Sequence, residues 1–267
     1  MSGAAALAAP RVPHSLPWRG LLIPVGRVLI VVALLAAWEW ASGWVVPRMW
    51  ASSPSAIWAV LSRWVGDGSL WRHLGATGLA ASLGYLAGAA LGVACGLALG
   101  LLPWVERVLA PFLGALYALP KVALAPLFVI TLGIGLESKV VLVAATVFFL
   151  VLYGTLDGLR DADRDLATGL ELMGAGRAEV VRLALLPATL PWIFTSLRLA
   201  VRYAFTAAIL GELIASNEGL GYLIESSAGR FNTAGVFAAV AVLVMLSVAI
   251  TEALSRTERW GLRRRDK

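Results

Sequence analysis

Residues 74–105 read LGATGLAASLGYLAGAALGVACGLALGLLPWV, a run without one charged side chain. Two further uncharged runs occupy 140–156 and 231–251. A helix of about 20 apolar residues crosses the hydrocarbon core of a bilayer, which is roughly 30 Å thick. Composition agrees: of 267 residues 60% are hydrophobic and 14% charged, with mean hydropathy +0.83. A soluble domain carries about 25% charged residues. The chain is therefore expected to be an all-α membrane protein.

Working outward, hydropathy predicts six transmembrane helices at about 21–46, 74–102, 108–132, 139–157, 187–213 and 231–253. The first is read as a retained span, because Pro24, Arg27 and Glu39 interrupt it and it is longer than a signal core. With both termini cytoplasmic, fourteen Lys and Arg fall inside and five outside, as the positive-inside rule requires. Residues 1–18 read as a flexible cytoplasmic tail, 19–260 as the six-span domain and 261–267 as a basic tail. The net charge of +6 arises from residues flanking spans, so it points to membrane lipid and not to nucleic acid. The lone Cys95 allows no intrachain disulfide, and His14 and His73, far apart, suggest no metal site.

Packing signals lie inside the spans. Gly84, Gly88, Gly92, Gly96 and Gly100 recur every fourth residue and form a ridge without side chains, against which another backbone can pack closely. That backbone belongs to the same subunit or to a second copy. Span three carries Pro111, Pro120 and Pro126 around Lys121, so it is expected to kink, either as part of a translocation path or to fit its neighbours. Arg198 and Arg202 are four apart on span five, with Glu212 near its outer end. Charges at this depth line an aqueous path or tie helices together, with Glu39 and Glu212 as available partners. Between spans one and two, Ser52 and Ser53 precede Pro54 and start a short helix. Trp58, Trp64 and Trp71 suit it to the headgroup level.

The loop from Asp157 to Leu186 is long for a compact bundle. Leu166, Leu170 and Met173, then Val180, Val181 and Leu185, keep helical spacing on either side of Gly174-Ala175-Gly176. Two short helices on the cytoplasmic face form a docking platform for a soluble partner.

Gly174, with Leu186-Pro187 twelve residues on, resembles the "EAA" loop of ABC importer permeases. Leu70-Trp71-Arg72-His73-Leu74, Ala118-Leu119-Pro120, Leu132-Gly133-Ile134-Gly135 before Ser138-Lys139, and Gly219-Leu220-Gly221-Tyr222-Leu223-Ile224 resemble the nitrate/sulfonate/taurine branch of that family. The resemblance spans about Ser53 to Arg259. It implies a type I importer permease of the bacterial inner membrane, working as a homodimer with two cytoplasmic ATPase subunits and an external solute-binding protein. It also implies that ATP and magnesium are bound by the ATPases, that this chain needs no cofactor, and that the loop around Gly174 couples hydrolysis to transport. The implied coupling residues are Asp165, Thr168, Glu171, Gly174, Ala175, Gly176, Leu186 and Pro187. The candidate path residues are Lys121, Arg198, Arg202 and Glu212. One departure stands out: Thr168-Gly169-Leu170 replaces the acidic-alanine-alanine triplet, leaving Asp165 or Glu171 to stand in for its acid.

The chain carries no engine of its own. Its lysines, Lys121, Lys139 and Lys267, follow Pro120, Ser138 and Asp266, so none completes a phosphate-binding loop, which needs Gly-Lys. The expected solute is a small organic or inorganic anion such as a sulfonate, nitrate or carboxylate. The rival readings are an ion-coupled secondary transporter, which leaves the docking loop unexplained, and a membrane enzyme, for which convergent catalytic groups are lacking.

Overall fold

The computed structural model describes the backbone of residues 17–265 apart from 46, 48, 49 and 163, and side chains of 25–256 apart from those positions, 164 and 167. Its axis is α3 (Ser69–Gly100), packed along α6 (Leu136–Arg160) of the same chain. The glycine ridge explains the pairing. A Cβ on Gly92 would stand 2.8 Å from the Phe148 carbonyl and 2.9 Å from Val151 Cβ, and one on Gly96 would stand 2.6 Å from Thr155 Cβ. Gly84, Gly88, Gly92, Gly96 and Gly100 meet Val143, Val147, Val151, Thr155 and Leu159 in turn. Both series rise together, so the two helices run parallel.

Parallel neighbours require the intervening chain to cross back. It does so through α4 (Pro103–Ala118), a 3₁₀ turn (Lys121–Leu124) and α5 (Ala125–Leu132), bent by 82°. The expected kinks resolve into one break. Leu119, forced out of the helical region by the proline after it, is extended (ψ 132°). Pro111 stays within α4, and Pro126 falls in the first turn of α5, where a missing N–H costs nothing.

Helix α9 (Leu186–Ile214) packs antiparallel to α6: Gly154 faces Ser196, Gly158 faces Trp192, and Gly211 faces Leu142. Ala200, Ala204, Ala207 and Ala208 close a core with Val143, Val147, Val151, Ala81 and Ala89. Small residues allow three helices to approach closely where water exclusion supplies no drive.

Among the described residues four helices are long and apolar enough to cross a membrane by themselves: Ser69–Gly100, Leu136–Arg160, the continuous segment Arg177–Ile214, and Thr233–Arg256 of α11 (Thr233–Arg265). The bent pair makes a fifth crossing. The first expected span falls on α1 (Pro17–Ala41) and lies partly outside the described residues. From Val25 to Leu35 its large apolar side chains, Val28, Leu29 and Ile30 among them, are exposed, while Trp38 is half-buried against Phe237. So are Leu79, Leu83 and Leu86 on α3 and Val240, Val244 and Val248 on α11. Rows of this kind suit lipid and would be a liability in water. Of the expected tails, residues 1–16, 266 and 267 lie outside the described residues, while the backbone of α11 is helical through Arg265.

At one end of the bundle lie α2 (Pro54–Gly66) and α10 (Leu220–Gly229). Ser53 caps α2, accepting from the Ala56 amide (3.3 Å), and Glu39 of α1 accepts from the Ser55 amide (2.9 Å) and hydroxyl (2.7 Å). A carboxylate at a helix N-terminus is stabilised by the unpaired amides there. Trp58 and Trp71 are exposed, whereas Trp64 packs on the cluster of Leu70, Leu220 and Leu223.

Candidate functional site

Three places bring functional side chains together. The first is the loop after α6. Helix α7 (Arg164–Leu172) ends in a Schellman motif: the Ala175 amide bonds to the Leu170 carbonyl (3.0 Å) and the Gly174 amide to that of Glu171 (2.9 Å). This closure needs a left-handed residue, and Gly174 takes φ +89°. Helix α8 (Arg177–Val180) follows, its start fixed by Glu179, which accepts from the Gly176 amide (2.8 Å). The turn then widens to a π-helical segment, Val181–Leu185, closed by the Leu186 amide on the Val181 carbonyl. Pro187 next along has no amide to give, and α9 starts there.

The predicted coupling residues are distributed accordingly. Asp165, Thr168 and Glu171 are exposed on α7, Gly174–Gly176 form the turn, and Leu186 and Pro187 open α9. The end of α7 presents an apolar tip, Leu172 and Met173, at 85% and 78% exposure. Two arginines brace the platform. Arg177 donates to the Leu101 carbonyl at the end of α3 (2.7 Å), and Arg160 pairs with Glu106 of α4 and with Asp157 (3.2 Å).

The second place is the outward face of α9. Arg202 lies twelve residues before Ile214, about 18 Å along the helix, and so near mid-depth. Its side chain is exposed, with no hydrogen bond or ion pair among the described residues, and lines a cavity of about 280 Å³ with Leu199, Tyr203 and Thr206. Arg198, one turn earlier, is half-buried. Lys121 is elsewhere: at the break before α5 it donates to the Tyr117 carbonyl and lies over the rings of Tyr117 (4.5 Å) and Phe149 (5.1 Å). There it meets a carbonyl that the broken helix leaves open.

The third place holds Glu212, which does not share the exposed face of Arg202. It is 1% exposed. Three successive amides at the start of α10 are each taken by a side chain of another helix. Gly219 donates to Nδ1 of His73 (3.0 Å), Leu220 to Oγ1 of Thr77 (2.9 Å), and Gly221 to Oε2 of Glu212 (3.0 Å). The Thr77 hydroxyl also donates to Glu212 (2.9 Å). From α6, Lys139 donates to the Ser216 hydroxyl (2.8 Å) and the Glu218 carbonyl (3.2 Å) in the loop leading in. Glycine is required at 219: its φ of +120° and ψ of 168° suit glycine alone, and a Cβ would overlap the Glu212 carboxyl. This node thus ties α3, α6, α9 and α10 together.

Residues 84–257 match the model of a family described as the binding-protein-dependent transport system inner membrane component. The chain belongs to this family. Among relatives of this inner membrane component, the riboflavin transport system permease protein of Chloroflexus aurantiacus is 36% identical over 233 residues, 87% of this chain and 86% of the relative. The putative aliphatic sulfonates transport permease protein of Escherichia coli is 31% identical, over 92% of this chain and 94% of the relative. A chain of the MetNI methionine ABC transporter, in an inward-facing conformation, superposes with TM-score 0.57 at 20% identity, covering 73% of this chain and 95% of that one.

As a member of this family, the chain is the non-catalytic permease subunit of an ABC importer, and a separate ATPase hydrolyses ATP. The matched region takes in the glycine ridge, the loop around Gly174, α9 and α10. Sequence reasoning missed two things. Glu179, which the sequence reading did not single out, fixes the start of α8. The node was present as separate pieces of resemblance, those holding His73, Lys139 and Gly219-Leu220-Gly221, whose meeting needed the fold.

Proposed function

We propose that two copies of this chain form the path of a bacterial inner-membrane importer for a small anionic solute. Six spans, with both termini cytoplasmic, place the loop around Gly174 inside and the outer node outside. Two ATPase subunits seat the platform of Asp165, Thr168, Glu171 and Gly174–Gly176, with the Leu172–Met173 tip entering an apolar groove. An external solute-binding protein delivers the solute. Closure of the ATPases on ATP moves α7 and α8 as one body, and Leu186-Pro187 passes that motion to α9.

The observation carrying the path is Arg202. A charged side chain at mid-depth facing lipid costs about 2.5–3.5 kcal/mol on insertion scales. Among the described residues Arg202 has no acid to neutralise it, so its face borders water or a second copy. Both follow if the path lies between two copies along α9, with Arg198 contributing at its edge. Lys121 keeps the broken helix open beside it, and Glu212 acts from behind by fixing the outer ends.

The test is capture of the ATPase by the purified chain, native and Gly174→Trp. The native chain shows no ATP hydrolysis alone and binds an ATPase from its own cell. The tryptophan variant, with its Schellman turn broken, loses capture or hydrolyses ATP without transport. Ion-driven uptake by the chain alone in liposomes would overturn the proposal.

A further inference from the structure

The cavity beside Arg202 has a chemistry more specific than positive charge. Arg202 offers a planar fork of donors without a counter-ion among the described residues. Tyr203 is 52% exposed on the same cavity, its ring outward. Tyrosine facing a bilayer belongs at the headgroups, where its hydroxyl is wet, and not at mid-depth. Leu199 extends the apolar wall one turn before, also exposed. Thr206 stands one turn after; its hydroxyl donates to the Arg202 carbonyl (3.0 Å) and keeps acceptor capacity toward the cavity. Across α9 the residues are Ala200, Ala204, Ala207 and Ala208, which serve packing alone. Arginine, aromatic ring, leucine and hydroxyl are thus gathered on the one face the bundle does not use.

We propose that this patch is a solute-contact site of the permease and that it takes a small anion carrying a flat conjugated ring. The inference rests on the path reading above and adds the class of solute. Arg202 holds the anionic group by its fork, the ring lies on Tyr203 and Leu199, and Thr206 accepts from a donor on the solute. A short aliphatic anion satisfies Arg202 alone and leaves the ring of Tyr203 bare. Tyr203 is therefore the residue that sets the preference.

The experiment places a reporter cysteine at Thr206→Cys in a Cys95→Ala background, using the full-length chain in lipid nanodiscs. Labelling by the charged reagent sulfonatoethyl methanethiosulfonate reads whether the position is aqueous. If only lipophilic N-ethylmaleimide reacts, the path reading fails and the site with it. Where the charged reagent does react, benzenesulfonate slows it roughly three- to tenfold more than ethanesulfonate at equal concentration, the range expected from one aromatic contact. Tyr203→Leu removes that difference, and Arg202→Gln removes protection by both. Equal protection by the two sulfonates, or protection by neither at a cysteine the charged reagent reaches, overturns the solute class and leaves the path reading intact.

Discussion

The loop around Gly174 and the node around Glu212 are both joints, built in different ways. In the loop the turn is closed by local bonds, Gly174 to Glu171, Ala175 to Leu170 and Gly176 to Glu179, and Arg177, among the bonds described, ties it to the end of α3. In the node three of the bonds join buried partners 135, 143 and 146 residues apart, and Gly221 to Glu212 spans nine. A locally closed element keeps its shape while it is displaced, which suits a platform that a soluble partner must push. A joint in which side chains of three helices hold the backbone at the start of a fourth moves only if all four move. The two α9 ends are thereby assigned different mechanics: an adjustable one at Leu186-Pro187, where the π turn gives slack, and a fixed one at Glu212.

This contrast is sharpest in paired glycines. Gly219→Ala is expected to have the largest effect. The new Cβ meets the Glu212 carboxyl, and the conformation is one that alanine does not adopt; strain of this kind is about 1–3 kcal/mol before any overlap. Loss of monodisperse protein, or a large drop in thermal unfolding temperature in detergent, is the expected outcome. Wild-type stability would show that the node is not fixed as described. Thr77→Val comes next. It preserves shape but leaves the Leu220 amide and one bond of Glu212 unanswered, at a cost of about 1–3 kcal/mol for a buried unsatisfied group. Unfolding measurements check it, and ATPase capture is expected to persist, because the loop is untouched.

What was legible in the sequence follows the same division. The glycine ridge, the prolines of span three and Gly174 act through backbone geometry within a few residues, and each reading led to the right element. The partner of the ridge was left open between this chain and a second copy. Only the fold shows α6, since the complementary series Val143, Val147, Val151, Thr155 and Leu159 looks like any apolar stretch. Glu212 read either as a path residue or as a partner tying helices together, because span depth and charge say nothing about which way a side chain points. Burial against Thr77 and Gly221 settles its direction. His73 read as merely not a metal ligand. Its role as an acceptor for Gly219 depends on two segments 146 residues apart meeting at one depth.

The smallest expected effect is at the loop. Gly174 takes a positive φ, but a Cβ there meets nothing within 4 Å. Gly174→Ala therefore carries only the left-handed penalty, about 1 kcal/mol, and Gly174→Asn less, because asparagine is accepted at this cap position. Proteolysis within residues 164–185, read with and without bound ATPase, resolves so small a change where global unfolding does not. The order expected is Ala more susceptible than Asn, Asn close to native, and all three equal once the ATPase is seated, because the partner then supplies the order that the Schellman turn gives in the free chain. If alanine at 174 proved as disruptive as alanine at 219, the loop would be held by contacts beyond its own, and the division between a locally closed joint and a long-range one would not stand.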